Sequence, residues 1–202
     1  RCGGCQWQHL PYELQWLTKK SGVTHALKRV EILWPNERLE ELPAAQIWNY
    51  RNRVQARGFE DRLGFYAPGT HDVVPIDGCT IARKEINDVW QKVREKGRSL
   101  PREYKVEIEV LEDGSVYDTW NSGHSARGFR QVQDGQNEKL KEWVAGQLPG
   151  GATLLDLYGG AANLSRGLVD RYQAVDCVDV GVPKSSQVPN LRFHRSEVAK
   201  WT

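Results

Sequence analysis

The stretch from Thr153 to Asp179 constrains the fold more than any other part of the chain. Thr153-Leu154-Leu155-Asp156-Leu157-Tyr158 is a short apolar run of the kind that forms a buried strand. It leads straight into Gly159-Gly160-Ala161-Ala162-Asn163-Leu164, and a helix is predicted to follow that turn. Ala174-Val175-Asp176-Cys177-Val178-Asp179 reads as the next strand and ends in an acid. Strand, glycine-rich turn, helix and acid-tipped strand together open a doubly wound parallel sheet.

The pattern suits a nucleotide-like ligand. Glycine at the carboxyl end of the first strand admits a ligand to backbone that side chains would block. A carboxylate at the end of the second strand accepts both hydroxyl protons of a ribose diol. Asp179 follows Asn163 by sixteen residues, within the span of one such unit. The turn lacks a full G-x-G-x-x-G, so S-adenosylmethionine fits better than a dinucleotide with its pyrophosphate. On spacing alone, a glycine turn serves tight helix–strand packing equally well.

Three features predict an incomplete sheet in a longer protein. Only Val180 to Asn190, eleven residues with two prolines, precede the next strand candidate, Leu191-Arg192-Phe193. A parallel crossover takes a dozen or more residues including a helix, so this connection is expected to lack residues or to be unusual. The chain then stops at Thr202, where a doubly wound domain needs several more strands. It contains no methionine, so Arg1 is expected to be internal to a longer chain.

The region up to residue 127 reads as α+β. Leu10, Leu14, Leu17, Ala26, Leu27, Val30 and Leu33 follow helical spacing from Pro11 to about Leu33, with lysines on the other face. Residues 35–46 read as a polar connector. Strands are expected at Tyr50–Arg57, Leu63–Tyr66 and Asp72–Ile76, with a turn at Glu60-Asp61. A helix is predicted from about Arg83 to Lys96, burying Ile86, Val89, Trp90 and Val93. Alternating Val106, Ile108 and Val110 followed by Asp113-Gly114 marks a hairpin. A further helix is predicted from Asn137 to Leu148, before the strand at Thr153.

Cys2-Gly3-Gly4-Cys5 stands near the start, and a third thiol, Cys79, lies in Val74-Pro75-Ile76-Asp77-Gly78-Cys79. Glycines between two cysteines let the backbone turn tightly and bring amides close to sulfur. A lone CxxC reads as structural zinc, a redox pair or chance spacing, and spacing alone favours zinc. The fourth cysteine, Cys177, lies within a strand and reads as a small core residue.

Net charge is only +2, so binding to a polyanion would need local clusters. Arg51, Arg53 and Arg57 alternate along one strand and are candidates for phosphate contact, as against a plain solvated face. Few cysteines and no signal peptide point to a reducing cytoplasm. No apolar run approaches the ~20 residues that cross a bilayer.

Taken together, the chain resembles the RNA uracil-5-methyltransferase family, and within it the iron–sulfur type that modifies bacterial 23S ribosomal RNA. The stretches that carry the resemblance run in order: Cys2-Gly3-Gly4-Cys5 with Gln8-His9-Leu10, Tyr50-Arg51-Asn52-Arg53, Gly64-Phe65-Tyr66 with His71, the Cys79 segment, Phe129-Arg130-Gln131-Val132, and Leu155-Asp156-Leu157-Tyr158-Gly159-Gly160. The resemblance implies a [4Fe–4S] cluster held by Cys2, Cys5 and Cys79, the fourth ligand falling ahead of Arg1. It implies an iron–sulfur and central α+β domain over 1–127. Over 128–202 it implies the first part of a Rossmann-like S-adenosyl-L-methionine-dependent methyltransferase domain.

For the methyl donor, the family pattern falls on Gln131, Tyr158, Asn163 and Asp179, with Glu197 a looser match near the adenine. Phe129 and Gln131 are implied at the flipped uracil, although Phe129 also reads as plain core. Arg127 and Arg130 flank that site. The sequence departs from the family at Gly159, where cysteine is usual, and at Ala162, where glycine is usual.

The implied reaction is methylation of uracil C5 through a covalent cysteine adduct. The expected Asp-Pro-Pro-Arg segment and later cysteine do not occur, so no catalytic residue is assigned and the 202 residues alone are not expected to catalyse. The implied partner is ribosomal RNA, at an unpaired or loop uridine, with the protein a cytoplasmic monomer that binds no membrane. Transfer RNA is disfavoured, because its family members generally lack the cysteines. Alternatives are a non-catalytic RNA-binding relative, and a zinc-ribbon protein with an unrelated nucleotide site.

Overall fold

The computed structural model describes residues 2–32, 40–122, 129–184 and 186–201. The chain divides into two compact units, Arg1–Asn121 and Ser122–Thr202. Leu33, part of the 35–46 connector, Arg127, Thr202 and the expected boundary between residues 127 and 128 lie outside the described residues.

The first unit opens with the cysteine pair and then helix α1 (Tyr12–Arg29). No residue of α1 is buried, and Leu14, Leu17 and Val23 are exposed, so the amphipathic pattern does not translate into a core-facing stripe. Polar contacts hold the helix instead. The Trp16 indole donates to Glu41 at 2.7 Å, and the Tyr12 hydroxyl accepts the Ala44 amide at 2.7 Å.

Five antiparallel strands follow: β1 (Arg53–Phe59), β2 (Arg62–Tyr66), β3 (Val73–Pro75), β4 (Tyr104–Val110) and β5 (Val116–Trp120). Their order in the sheet is β3-β2-β1-β4-β5. The register pairs Val54 with Ile108 and Ala56 with Val106, so the period-2 apolar pattern falls on one face. Helix α2 (Lys84–Arg98) packs there, burying Ile86, Trp90 and Val93 against those residues and Leu63. The spacing of those three residues is the helical one that the sequence predicts.

The second unit contains α3 (Asp134–Gln147) and three parallel strands, β6 (Gly151–Leu157), β7 (Tyr172–Asp179) and β8 (Leu191–Arg195), in the order β6-β7-β8. Its core is Ala162, Leu168, Tyr172, Val175, Cys177, Val182 and Leu191. A short helix, α4 (Val198–Trp201), follows β8.

Two expectations fail here. No α-helix follows the glycine turn. Tyr158, Gly160 and Ala162 have φ of 59°, 56° and 61°, left-handed values that a right-handed helix cannot contain. The remaining residues before β7 close as a 3-10 helix, Arg166–Arg171. The other is burial at β6: none of its residues is buried, and Leu155 and Leu157 are exposed, where the apolar run predicts a buried strand. The connection from β7 to β8 is unusual, one of the two alternatives expected for it. The strands are paired and parallel, yet the described residues between 180 and 190 hold no helix. Eleven extended residues reach ~36 Å, while β8 needs a return of only ~17 Å, so a helix-free link suffices. Val182 is buried on the way, and Val188 packs against the same cluster.

Candidate functional site

The carboxyl end of β7 meets the glycine turn. Asp179, the last residue of β7, accepts the Gly160 amide at 3.2 Å on one oxygen and the Gly181 amide at 2.7 Å on the other. Tyr158 donates its amide to the Val178 carbonyl at 2.8 Å, while its side chain is 75% exposed. A non-glycine residue held left-handed at the end of a strand is a strained device typical of ligand sites. A carboxylate offers about four acceptor positions, so two amides leave capacity for a diol.

Below the turn lies a packed layer. A Cβ at Gly159 would stand 2.6 Å from both the Cys177 Sγ and the Asp156 carboxyl carbon, so only glycine fits. The Ser165 hydroxyl donates to Asp156 at 2.6 Å, fixing the far side of the turn. Burial, reinforced by the Asp156 charge, pushes the Cys177 thiol up to about 11. Cys177 is fully buried, as the sequence predicts for a core residue, and is no nucleophile.

The other positions implied for the donor are placed as follows. The Asn163 amide pairs reciprocally with Asn137 of α3, at 2.9 and 2.8 Å. That clasp ties the start of α3 to the glycine turn, a role the sequence did not reveal, since Asn137 belongs to no motif. Gln131 is half-buried, in the segment leading into α3. Phe129 is 78% exposed, so the core-packing alternative for it is wrong. Arg130 pairs with Asp134 at 2.9 Å. Glu197 follows β8, exposed and paired with Lys200 at 2.8 Å. The Ser196 amide donates to the Asp179 carbonyl at 3.3 Å, which brings the ends of β7 and β8 together.

In the first unit, Cys2, Cys5 and Cys79 line one cavity of about 910 Å³, together with Gly4, Arg51 and Thr80. The Gly4 amide donates to the Cys2 sulfur at 3.3 Å. Gly3 must be glycine, because a Cβ would sit 2.5 Å from the Tyr66 carbonyl that its amide binds. Gln8 donates to the Thr80 hydroxyl at 2.6 Å, joining the CGGC segment to the Cys79 loop. Asn87 of α2 grips that loop from the other side: it accepts the Cys79 amide at 2.8 Å and donates to the Cys79 carbonyl at 3.0 Å. Burial raises the Cys5 thiol, and the charges of Cys79 and Cys2 raise it further. Among the described residues, no three His, Cys, Asp or Glu side chains stand grouped so as to hold a metal ion.

The arginine ladder splits three ways. Arg53 is buried and paired with Glu109 at 2.8 Å and Glu107 at 4.0 Å, so it is not a free phosphate ligand. Arg57 lies over the Tyr66 ring at 5.3 Å, and that ring meets His71 edge-on at 5.2 Å. Arg51 lines the cysteine cavity. Among the described residues, no helix is long and apolar enough to cross a membrane.

No family model matches the chain. It is 30% identical over 189 residues to an uncharacterized RNA methyltransferase of Bdellovibrio bacteriovorus, covering 89% of this chain and 47% of that protein. It is 31% identical over 147 residues to another from Aquifex aeolicus, covering 72% of this chain and 34% of the relative. The chain thus spans half or less of the length of these curated relatives. Among solved structures it resembles the tRNA (uracil-54, C5)-methyltransferase of Pyrococcus abyssi, crystallised with S-adenosyl-L-homocysteine. The TM-score is 0.69 at 17% identity, over 89% of this chain and 58% of the other. That likeness shows a shared methyltransferase-like α/β fold.

Proposed function

We propose that the protein carrying these residues methylates C5 of a uracil in RNA, using S-adenosyl-L-methionine, with 23S ribosomal RNA as substrate. The observation that carries this reading is that likeness to RNA methyltransferases covers 89% of the chain, and so reaches into both units. When bound, the donor supplies a methyl group activated as a sulfonium. Asp179 is suited to hold its ribose, Tyr158 to line the pocket at the turn, and Gln131 and Glu197 to complete it. Asn163 acts through its clasp on Asn137, setting where the Phe129–Gln131 segment leads into α3. Phe129, exposed as it is, offers a face for an unstacked base.

The uracil adduct needs a cysteine thiolate and a base. Cys177 is excluded by its burial and raised pKa, and the 202 residues supply no other cysteine outside the three-thiol cavity. In this reading both groups lie elsewhere in the protein.

The three-thiol cavity suits a [4Fe–4S] cluster better than a single zinc. Its donor set is three thiols with glycine amides beside them, one already directed at sulfur. Thiolates on one tetrahedral zinc stand only ~3.8 Å apart, given Zn–S of about 2.3 Å. A cluster several ångströms across holds its thiolates further apart than that.

The test uses the full-length protein purified without oxygen. It is incubated with methyl-labelled S-adenosyl-L-methionine and unmodified 23S ribosomal RNA or transfer RNA, and the RNA is digested to nucleosides. Label in 5-methyluridine from 23S ribosomal RNA is expected. Label only from transfer RNA replaces the substrate, and RNA binding without label leaves a non-catalytic binding module.

A further inference from the structure

We propose that Arg51 is the built-in counter-charge of the three-thiol cavity, where its guanidinium stabilises the negative charge of an iron–sulfur cluster and raises its reduction potential. This rests on the cluster reading above. Three observations carry it.

Arg51 is fixed to the cysteine loop by its backbone. Its amide donates to the Ile81 carbonyl at 2.8 Å, its carbonyl accepts the Arg83 amide at 2.9 Å, and Asn49 binds the Thr80 carbonyl at 3.0 Å beside it. Arg51 and Ala82 form an isolated parallel bridge, so the residue rides with the Cys79 segment rather than with β1.

Among the described residues its charge has no carboxylate partner. The Nε donates to the Arg53 carbonyl at 2.9 Å, a neutral acceptor. By contrast Arg53, two residues on, is buried against two glutamates. Half-buried arginine without an anionic partner is costly unless an anion is supplied.

The cavity that Arg51 lines is otherwise uncharged apart from its thiols. No Asp, Glu, Lys or His is among its described lining residues. Deprotonated thiolates around a cluster make the site net negative, and each electron added makes it more so. A fixed positive charge at that wall favours the reduced state, because cluster potential follows net charge and nearby hydrogen bonds. Arg51 is thus a positioning and tuning residue, remote in kind from methyl transfer.

The experiment compares the full-length wild type with Arg51→Gln and Arg51→Lys, each purified without oxygen. Iron and acid-labile sulfide are counted, and the cluster is titrated optically with dithionite at controlled potential. The wild type decides the underlying reading. Absence of iron and sulfide there removes the cluster and this proposal together. With cluster present, Arg51→Gln is expected to load iron but to show about a tenfold lower reduced-to-oxidised ratio at a fixed potential. That is ~59 mV more negative for a one-electron couple. Arg51→Lys is expected to stay near the wild-type ratio. An unchanged potential in a fully loaded Arg51→Gln protein overturns the proposal. If the glutamine variant fails to load, the lysine variant decides: loading at the wild-type potential supports the charge role. Failure of lysine to load, or a full tenfold shift in it, overturns that role in favour of shape.

Discussion

At the scale of single residues, the glycine turn explains two departures from the resembling family. Position 159 must lack a side chain because Cys177 and Asp156 already hold that space. Gly159→Ala is therefore expected to destabilise the second unit by about 1–3 kcal/mol, measured by chemical denaturation. Adding Cys177→Ala should recover part of that loss, and a double variant no better than Gly159→Ala would refute the steric account. Ala162 is the opposite case, a side chain where glycine would be easier. It is fully buried at φ 61°. Ala162→Gly should relieve left-handed strain of ~1–2 kcal/mol but loosen the unfolded chain by ~0.4–1 kcal/mol. The net expectation is modest stabilisation, and a clear loss of stability would show that the methyl group matters more for packing. The same residues bear on chemistry: Cys177→Ala is expected to leave methyl transfer by the full-length protein unaffected.

Secondary-structure elements are joined by buried charge. The Asp176 carboxylate of β7 accepts Arg192 at 2.6 Å and meets His194 Nε2 at 2.7 Å, both from β8. Burial works to raise its pKa, but the hydrogen bonds from Arg192 and His194 outweigh that and hold it below the ordinary carboxylate range. A depressed folded pKa stabilises above the unfolded value of ~3.9, and the contribution disappears as pH falls through the folded value. Asp176→Asn should accordingly lower the Tm at pH 7, with the gap to wild type closing below about pH 4. A gap independent of pH would assign the loss to packing. In the first sheet, Arg53 neutralises Glu107 and Glu109 across β1 and β4. Truncating it to alanine strands two buried carboxylates, which typically costs ~3–5 kcal/mol.

For the whole molecule, two units with separate cores imply two unfolding events. The second is expected to melt first, because β6 leaves Leu155 and Leu157 exposed while α2 closes the core of the first. S-adenosyl-L-homocysteine should then shift only the lower transition, by about 2.7 kcal/mol of stability at a hundred times its Kd. A single calorimetric transition, or a shift confined to the upper one, would contradict that assignment.

Local pattern determined much of this protein. Period-2 alternation placed the strands around Val54 and Val106, helical spacing placed Ile86, Trp90 and Val93 inward, and Asp113-Gly114 placed the β4–β5 hairpin. These features depend on neighbours in sequence, so a linear reading reaches them. The apolar stripe of α1 misled for the same reason: spacing shows which side is greasy, not whether anything covers it. Tertiary structure alone decided the rest. It replaced the expected helix with a left-handed turn and a 3-10 helix, because the fit of Gly159 over Cys177 involves residues eighteen apart. It sent Arg51, Arg53 and Arg57 to three fates, because the fold brings the glutamates of β4 to Arg53, the Tyr66 ring to Arg57 and the cysteine cavity to Arg51. Charge and volume act through space, and a sequence records only the order in which they are threaded.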